Sequence, residues 1–329
     1  SRAVLASVSG GKRFRALMAH VGYALSSATP IEEVSLPHLS AALELYQASA
    51  LVHDDIIDKA DERRGMPTPH RTLADHHAAQ SWIGSSTDFG RHSAILVGDF
   101  LFSAATAAAD EQALTLPEDC ARAFARRFAD MHAEVALGQY LDISAEQSPL
   151  DPERTDVLSM SDSLEVALHK SAHYSVVHPA LLGAICAAPS FDHVAGLLDV
   201  LETILTPWGL AFQLRDDDLG VFGDPAVTGK PAGDDLREGK RTALLALTWE
   251  ASSPDERRAL TDVLGVAEAS AQQIATATDI VERNGRAAHE AEIVSLVADG
   301  DAALEASEFD ENARAMLREL CSILTARRA

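Results

Sequence analysis

Leu51-Val52-His53-Asp54-Asp55-Ile56-Ile57-Asp58, followed by Arg63-Arg64-Gly65, decides how the rest of the chain is read. The residues upstream of it are apolar with a helical period. Three carboxylates then fall within five positions. On a helix Asp54 and Asp58 stand four apart and share one face. Two carboxylates held that way repel each other. A divalent cation would relieve the repulsion, because hard cations take oxygen ligands and magnesium combines one or two carboxylates with substrate phosphates. Arg63 and Arg64 suit phosphate oxygens, which a guanidinium grips bidentately. A solvated acidic helix end with a surface ion pair would present the same residues, so the stretch alone leaves both readings open.

Composition narrows the field. The chain has 329 residues, 47% of them hydrophobic and 5% aromatic, which suits a large core of closely packed, alanine-rich helices better than sheets. Its 27 basic and 50 acidic residues leave a formal charge of −23. That excludes general nucleic-acid binding and electrostatic attachment to an anionic membrane, both of which need basic surface. Cys120, Cys186 and Cys321 are far apart and lack metal-ligand spacing, as expected of reduced cytoplasmic thiols. No apolar run reaches about 20 residues, so no transmembrane segment is expected. The start shows no signal-peptide pattern. It opens at Ser1 without Met, so N-terminal sequence is expected to be missing.

Helical periodicity recurs along the chain. Helices are predicted over 12–28, 31–59, 86–109, 117–142 and 195–219, with a break over 60–75. Asp151-Pro152-Glu153-Arg154 reads as an N-cap with proline at the first helical position, opening a helix that carries Lys170-Ser171 toward Pro179. Pro254-Asp255-Glu256 begins a further helix and Asn284-Gly285 ends another. One domain over 1–329 is expected, without repeats or an interdomain linker.

Two more features bear on the acidic stretch. Gly10-Gly11-Lys12-Arg13-Phe14-Arg15 gathers cations at a helix start, where backbone amides also favour anions. Phe212-Gln213-Leu214-Arg215-Asp216-Asp217-Asp218 forms a second acidic cluster at the end of an apolar helical stripe. A long irregular segment, 223–240, follows it with Lys230 and Lys240, a composition usual for binding loops and lids. If the two acidic helices faced each other, they would form a carboxylate-lined cleft ringed by cations, suited to metal and diphosphate, with apolar helix faces beneath for a hydrocarbon tail.

The motifs GGKRFR (10–15), DDIID (54–58) with RRG (63–65), GDFLFS (98–103), GQYLD (138–142), KS (170–171), FQLRDD (212–217) and GDPAVTGKPAGDDLREGKRT (223–242) occur in one order over most of the chain. This set resembles the trans-prenyltransferases, the polyprenyl synthetase family of isoprenyl diphosphate synthases, and most closely the bacterial geranylgeranyl diphosphate synthases. The resemblance implies an all-α, single-domain helical bundle around a deep central cavity, usually a homodimer. It also implies Mg2+ as cofactor, three ions with substrate bound, and isopentenyl and allylic diphosphates as substrates.

Residue by residue, the resemblance makes Asp54, Asp58 and Asp216 the metal ligands, with Asp55 and Asp217 supporting metal-bound water. Lys12, Arg15 and Arg64 would hold isopentenyl diphosphate, and Arg63, Lys170, Gln213, Lys230 and Lys240 the allylic diphosphate. Ser171 would stand near the developing cation. Two departures matter. Gly220 replaces the third aspartate that often ends the second motif, and Asp218 is expected to point away. Gln47 replaces a histidine that helps bind isopentenyl diphosphate; glutamine can donate a hydrogen bond but cannot become cationic.

Product length should follow from the depth available beside the helix of Asp54. Ser49 and Ala50 are small and leave room, whereas Tyr46 lies eight residues before Asp54, roughly 12 Å along a helix. Tyr46 as floor predicts geranylgeranyl diphosphate as the main product, with farnesyl or longer-chain products as the alternative. A terpene cyclase would replace the second aspartate cluster with a different metal triad. A noncatalytic regulatory subunit of a heteromeric synthase would tend to lose the aspartates.

Overall fold

In a computed structural model the chain is described over residues 7–8, 10, 13–63, 65–223, 233–266 and 268–325. The fold is all-helical, as expected; among the described residues strand is confined to two antiparallel two-residue pieces, Glu62–Arg63 and Met66–Pro67.

Helix α1 spans Phe14–Ser27 and α2 spans Pro37–Ile57. The sequence predicts α2 from residue 31, but only a single 3-10 turn forms at Ile31–Glu33. Proline explains the later start: it is tolerated at the first helical position and forces the residue before it out of the helical region. Leu36 accordingly lies outside the helical region, with φ −128° and ψ 59°. Past Ile57, Asp58 still donates its N–H to Asp54 O at 2.8 Å, and Lys59 ends the helix at φ 56°. Gly65, at φ 70°, turns the short hairpin that follows.

Helix α3, Pro69–Ala79, corrects the expected break over 60–75. Pro69 again occupies the first turn, and Thr68 Oγ1 donates to Ala60 O at 2.9 Å, which closes the loop before it. Helix α4 spans Ser86–Ala113, with Ser85 as its cap. It meets α2 at Gly98. A Cβ there would lie 2.2 Å from His53 Nε2, and Ser49 Oγ donates to Gly98 O at 2.8 Å. Ala48, Val52, Ala94 and Leu101 complete this contact with small and branched side chains.

Helix α5 spans Glu118–Gln147. The Asp151–Arg154 stretch is a turn, not a helix start: Asp151 accepts from Glu153 N–H at 3.0 Å through its side chain and from Arg154 N–H at 3.0 Å through its carbonyl. Asp-Pro favours such turns as readily as caps. The helix begins at Met160, capped by Ser159. This α6, Met160–Ala167, passes into a π-helical segment, Leu168–Val177, and continues as α7, His178–Ala187. Ten residues of π-helix are uncommon, and π segments gather at functional sites.

Helix α8 spans Phe191–Phe222. Shorter helices follow: α9 Asp234–Glu238, α10 Ala243–Ala251, α11 Pro254–Thr261, α12 Ala271–Asn284, α13 Arg286–Ala306 and α14 Glu311–Thr325. Capping boxes of Ser253 with Glu256 and Ser270 with Gln273 start α11 and α12. Gly285 does separate α12 from α13, though not by a positive φ; a Cβ there would lie 2.0 Å from Thr248 Oγ1.

Two compact units emerge, residues 1–128 with 179–195, and residues 129–178 with 196–329. In the first, α1 and the 179–187 segment approach through glycine: a Cβ on Gly22 would lie 1.8 Å from Ala180 O, and one on Gly183 1.9 Å from Ala19 O. In the second, Leu244, Trp249, Leu260, Val263 and Ile280 form the heart of a large apolar cluster. By length and hydropathy alone α4 and α8 could cross a membrane. For α8 that apolarity has another use, since Leu201, Ile204, Leu205 and Trp208 are all buried.

Candidate active site

The first acidic stretch lies at the C-terminal end of α2. Arg63, carried back by the hairpin, spans two of its carboxylates: Nε donates to Asp55 Oδ1 at 2.6 Å and Nη2 to Asp54 Oδ2 at 3.0 Å. Asp55 is buried, while Asp54 and Asp58 are half-buried. Burial pushes the Asp55 carboxyl up to about 6 against the pull of Arg63, and Asp54 and Asp58 add to the rise. Arg63 pays a burial penalty too, yet Asp55 and Asp54 keep it more firmly protonated than usual. The arginine expected on a diphosphate thus pairs with the carboxylates of the first motif. Arg15 and Gln47 are half-buried, whereas Lys12 and Arg64 lie outside the described residues.

Two turns earlier on α2, Tyr46 is buried and meets Phe102 of α4 edge-on, with ring centroids 6.0 Å apart. Ser49 does not simply leave room: its hydroxyl is tied to Gly98 O and it is buried in the helix contact. Ala50 is half-buried.

The second acidic cluster lies toward the end of α8. Asp217 is buried and accepts from Gln213 Nε2 at 2.8 Å. Burial, together with the charges of Asp235, Asp216 and Asp142, pushes its carboxyl well above the usual range despite that hydrogen bond. Gln213, expected on a diphosphate, is held here by Asp217 instead. Asp218 does turn elsewhere, pairing with Arg286 at 3.1 Å. Arg215 grips Glu290 through both terminal nitrogens, at 2.7 and 3.0 Å. At Gly220 a Cβ would fall 1.9 Å from Asp235 Oδ2, so the space where the motif's missing side chain would start is filled from α9.

Lys170 and Lys240 converge on one carboxylate. Lys170 Nζ donates to Asp142 Oδ2, and Lys240 Nζ lies 3.4 Å from the same oxygen and 2.9 Å from Glu146 Oε1. Burial would raise Asp142, but Lys170 and Lys240 more than offset it and hold the carboxyl low. Close packing brings this about. A Cβ on Gly138 would lie 2.4 Å from Lys170 N, so only glycine lets the π segment seat against α5. Ser171, half-buried, follows Lys170 on that segment. Lys230 and residues 224–232 of the expected lid fall outside the described residues.

Asp142 and Asp235 are site residues that the sequence reading did not single out. Asp142 closes the GQYLD motif, and its carboxylate is the counter-charge that Lys170 and Lys240 share. Asp235 follows Asp234 in a loop that reads as cationic, which masks it.

The sequence profile of the polyprenyl synthetase family matches residues 1–281. The chain belongs to the polyprenyl synthetase family. As a polyprenyl synthetase it is a prenyltransferase, a trans-isoprenyl diphosphate synthase. It is 32% identical over 294 residues to the geranylgeranyl diphosphate synthase of Mycobacterium tuberculosis, covering 86% of this chain and 72% of that one. It is 31% identical over 277 residues to the geranylfarnesyl diphosphate synthase of Aeropyrum pernix, covering 84% and 77%. Among solved structures it resembles the geranylgeranyl pyrophosphate synthase of Corynebacterium glutamicum complexed with isoprenyl diphosphate and magnesium. The TM-score there is 0.86 at 36% identity, over 99% of this chain and 90% of that one.

Proposed function

We propose that this polyprenyl synthetase is a magnesium-dependent geranylgeranyl diphosphate synthase acting as a single isoprenoid synthase domain. The observation that carries the metal reading is Asp217, buried with the charges of Asp235, Asp216 and Asp142 around it. Carboxylates so placed favour a divalent ion with oxygen preference, and magnesium is the hard cation that joins carboxylates to phosphates. The donors of the first motif fit equally: Asp54 and Asp58 lie one helical turn apart, and Asp58 N–H still bonds Asp54 O. Asp54, Asp58 and Asp216 would hold the metal, with Asp55 and Asp217 orienting bound water. Magnesium would supply Lewis-acid withdrawal of charge from the diphosphate.

The side chains do the rest. Lys170 and Lys240, which pair with Asp142, and Arg63, which pairs with Asp54 and Asp55, would bind the allylic diphosphate. Gln213 adds a donor from Asp217. Fixed cations aimed at a leaving group stabilise the charge that develops there. The carbon–oxygen bond breaks with its electron pair going to diphosphate, and the isopentenyl double bond attacks the allylic cation. The proton lost from the isopentenyl unit goes to the departed diphosphate. Ser171 shields the cation from water. Lys12, Arg15, Arg64 and Gln47 hold isopentenyl diphosphate, and Lys230 joins the allylic grip.

Tyr46 sets the floor, supported by its edge contact with Phe102 on α4. Geranylfarnesyl diphosphate is the second reading, favoured by the Aeropyrum relative. A regulatory subunit is disfavoured because Asp54, Asp58, Asp216 and Asp217 are all retained. A homodimer is supported by the exposed Leu96 and Phe100, four residues apart on α4, which a second copy would cover. The free thiols of Cys120, Cys186 and Cys321 support a cytoplasmic setting. Incubation with isopentenyl and farnesyl diphosphates plus magnesium tests the product: a twenty-carbon diphosphate is expected, and a dominant twenty-five-carbon one would replace Tyr46 as floor.

A further inference from the structure

Beside the lysine site, α5 and the π segment assemble a second group of metal-type donors. Glu134 lies on α5, four residues before Gly138. Three imidazoles converge on its carboxylate. His169 Nδ1 donates to Oε1 at 2.6 Å, His173 Nδ1 to the same oxygen at 2.5 Å, and His178 Nε2 to Oε2 at 2.6 Å. The π-helix is what aligns them. Its hydrogen bonds run from i to i+5, roughly 4.4 residues per turn. Spacings of four and five, 169 to 173 to 178, therefore keep all three rings on one side. His178 is buried, its side chain 8% exposed, whereas Glu134, His169 and His173 are half-buried.

One cationic partner would balance the charge of this carboxylate, and the chain instead gathers three imidazoles on its two oxygens. Burial would raise the Glu134 carboxyl, yet the hydrogen bonds from His173, His178 and His169 hold it well below the usual range, so it stays an anion. His169 Nδ1, His173 Nδ1 and the Glu134 oxygen lie within 4.8 Å of one another. Two imidazole nitrogens and a carboxylate make a donor set typical of zinc, whose ligand distances of about 2.0–2.2 Å put tetrahedral ligand atoms about 3.4 Å apart. The present contacts, 2.5 and 2.6 Å, need to open by less than an ångström once the shared protons leave. His178 Nδ1 is buried without a hydrogen-bond partner, so that ring is oriented through Nε2 alone, toward Glu134.

We propose that Glu134, His169 and His173 form a binding site for a transition-metal ion of the zinc class, with His178 orienting the carboxylate through its second oxygen, separate from the aspartate motifs proposed above for magnesium. Imidazole nitrogen selects zinc, copper, nickel or cobalt, whereas magnesium demands oxygen donors in near-ideal octahedral geometry. Excess magnesium therefore does not compete. Because Lys170 and Ser171 sit between His169 and His173, an ion here staples the π segment to α5 and fixes the register in which Lys170 is offered. Binding displaces the imidazole protons now shared with Glu134, so affinity falls as pH falls.

The test is zinc and cobalt binding to the full chain in excess magnesium. Equilibrium dialysis with metal analysis is expected to give one zinc per chain that magnesium does not displace. Cobalt at the same site is expected to show visible absorption of nitrogen-ligated, low-coordinate ion. H169N with H173N should weaken zinc roughly tenfold or more and abolish the absorption, while circular dichroism checks that the helices remain. The single variant E134Q, which keeps the volume of the side chain, should weaken zinc with less risk to folding. Wild-type protein that holds no magnesium-resistant zinc overturns the proposal. So does zinc binding that the folded variants leave unchanged, or a cobalt spectrum of oxygen ligation only. The cluster would then be a hydrogen-bonded brace.

Discussion

A side chain at Gly220 would start 1.9 Å from the Asp235 carboxylate, so these two positions compete for one space. The second aspartate motif lacks its third acid at Gly220, and Asp235 brings a carboxylate there from α9. Asp235 also contributes to the raised carboxyl of Asp217. Gly220→Asp is therefore expected to impair the site rather than complete it, because it displaces Asp235. Asp235→Asn should raise the magnesium concentration for half-maximal turnover roughly tenfold, as removal of metal-supporting groups does elsewhere. Magnesium titration of turnover checks both; a more active Gly220→Asp enzyme would refute the substitution.

Asp142 holds Lys170 and Lys240 together from a buried position. Removing one partner of a buried ion pair leaves uncompensated charge and costs about 3–5 kcal/mol. Asp142→Asn is expected to lower the unfolding temperature and to raise KM for the allylic diphosphate more than for isopentenyl diphosphate. Denaturation and two-substrate kinetics measure the two effects separately.

Gly138 and Gly98 are close-approach positions, against Lys170 N and His53 respectively. Alanine at either must push its neighbour away, and overpacking of this kind costs about 1–3 kcal/mol. The two are expected to differ in kind. Gly138→Ala moves backbone at Lys170 and should reduce turnover as well as stability. Gly98→Ala meets a ring that can rotate, so its loss should be mainly of stability. Equal effects on turnover would contradict the distinction.

His289, fully buried between charged neighbours, sets an acid limit. Burial, with Arg215 and Arg286 nearby, pulls it down to about 4 although Glu290 opposes them. The unfolded chain, with a histidine near 6.5, binds a proton that the folded chain refuses. Stability from this group is thus complete above about pH 6.5 and is lost as pH falls toward 4. Between neutral pH and pH 5 the loss comes to about 2 kcal/mol. His289→Leu should flatten that part of the stability curve, which denaturant midpoints at pH 7 and 5 would read.

Tyr46→Ala is expected to lengthen the product by one or more five-carbon units, and Tyr46→Ala with Phe102→Ala further still. Product chromatography decides. An unchanged distribution would mean that Tyr46 serves only the α2–α4 contact.

Much of the site was legible in the sequence because its chemistry is local. Asp54 and Asp58 needed only helical periodicity to become a pair, and Asp216 and Asp217 sat at the end of a visible apolar stripe. Proline placement was ambiguous in the way its physics is. Pro37 starts α2 and Pro69 starts α3, while Pro152 sits in a turn, since a ring that fixes φ serves both uses. The side-chain partners were not legible. That Arg63 lies on Asp54 and Asp55, Lys170 on Asp142 and Gln213 on Asp217 depends on which charges the fold brings together. The π segment was also hidden, because spacings of four and five look helical either way. Only with that extra width do His169, His173 and His178 line up on Glu134.

The most direct measurement is turnover of isopentenyl and allylic diphosphates with magnesium, with chelator, and with Asp54→Asn and Asp216→Asn. The account predicts elongated prenyl diphosphate from the wild-type chain with magnesium alone, none with chelator, and losses of a hundredfold or more in each variant, on the order of 3 kcal/mol of transition-state stabilisation. Wild-type protein that elongates no allylic diphosphate in magnesium, or variants that turn over as the wild type does, would contradict it.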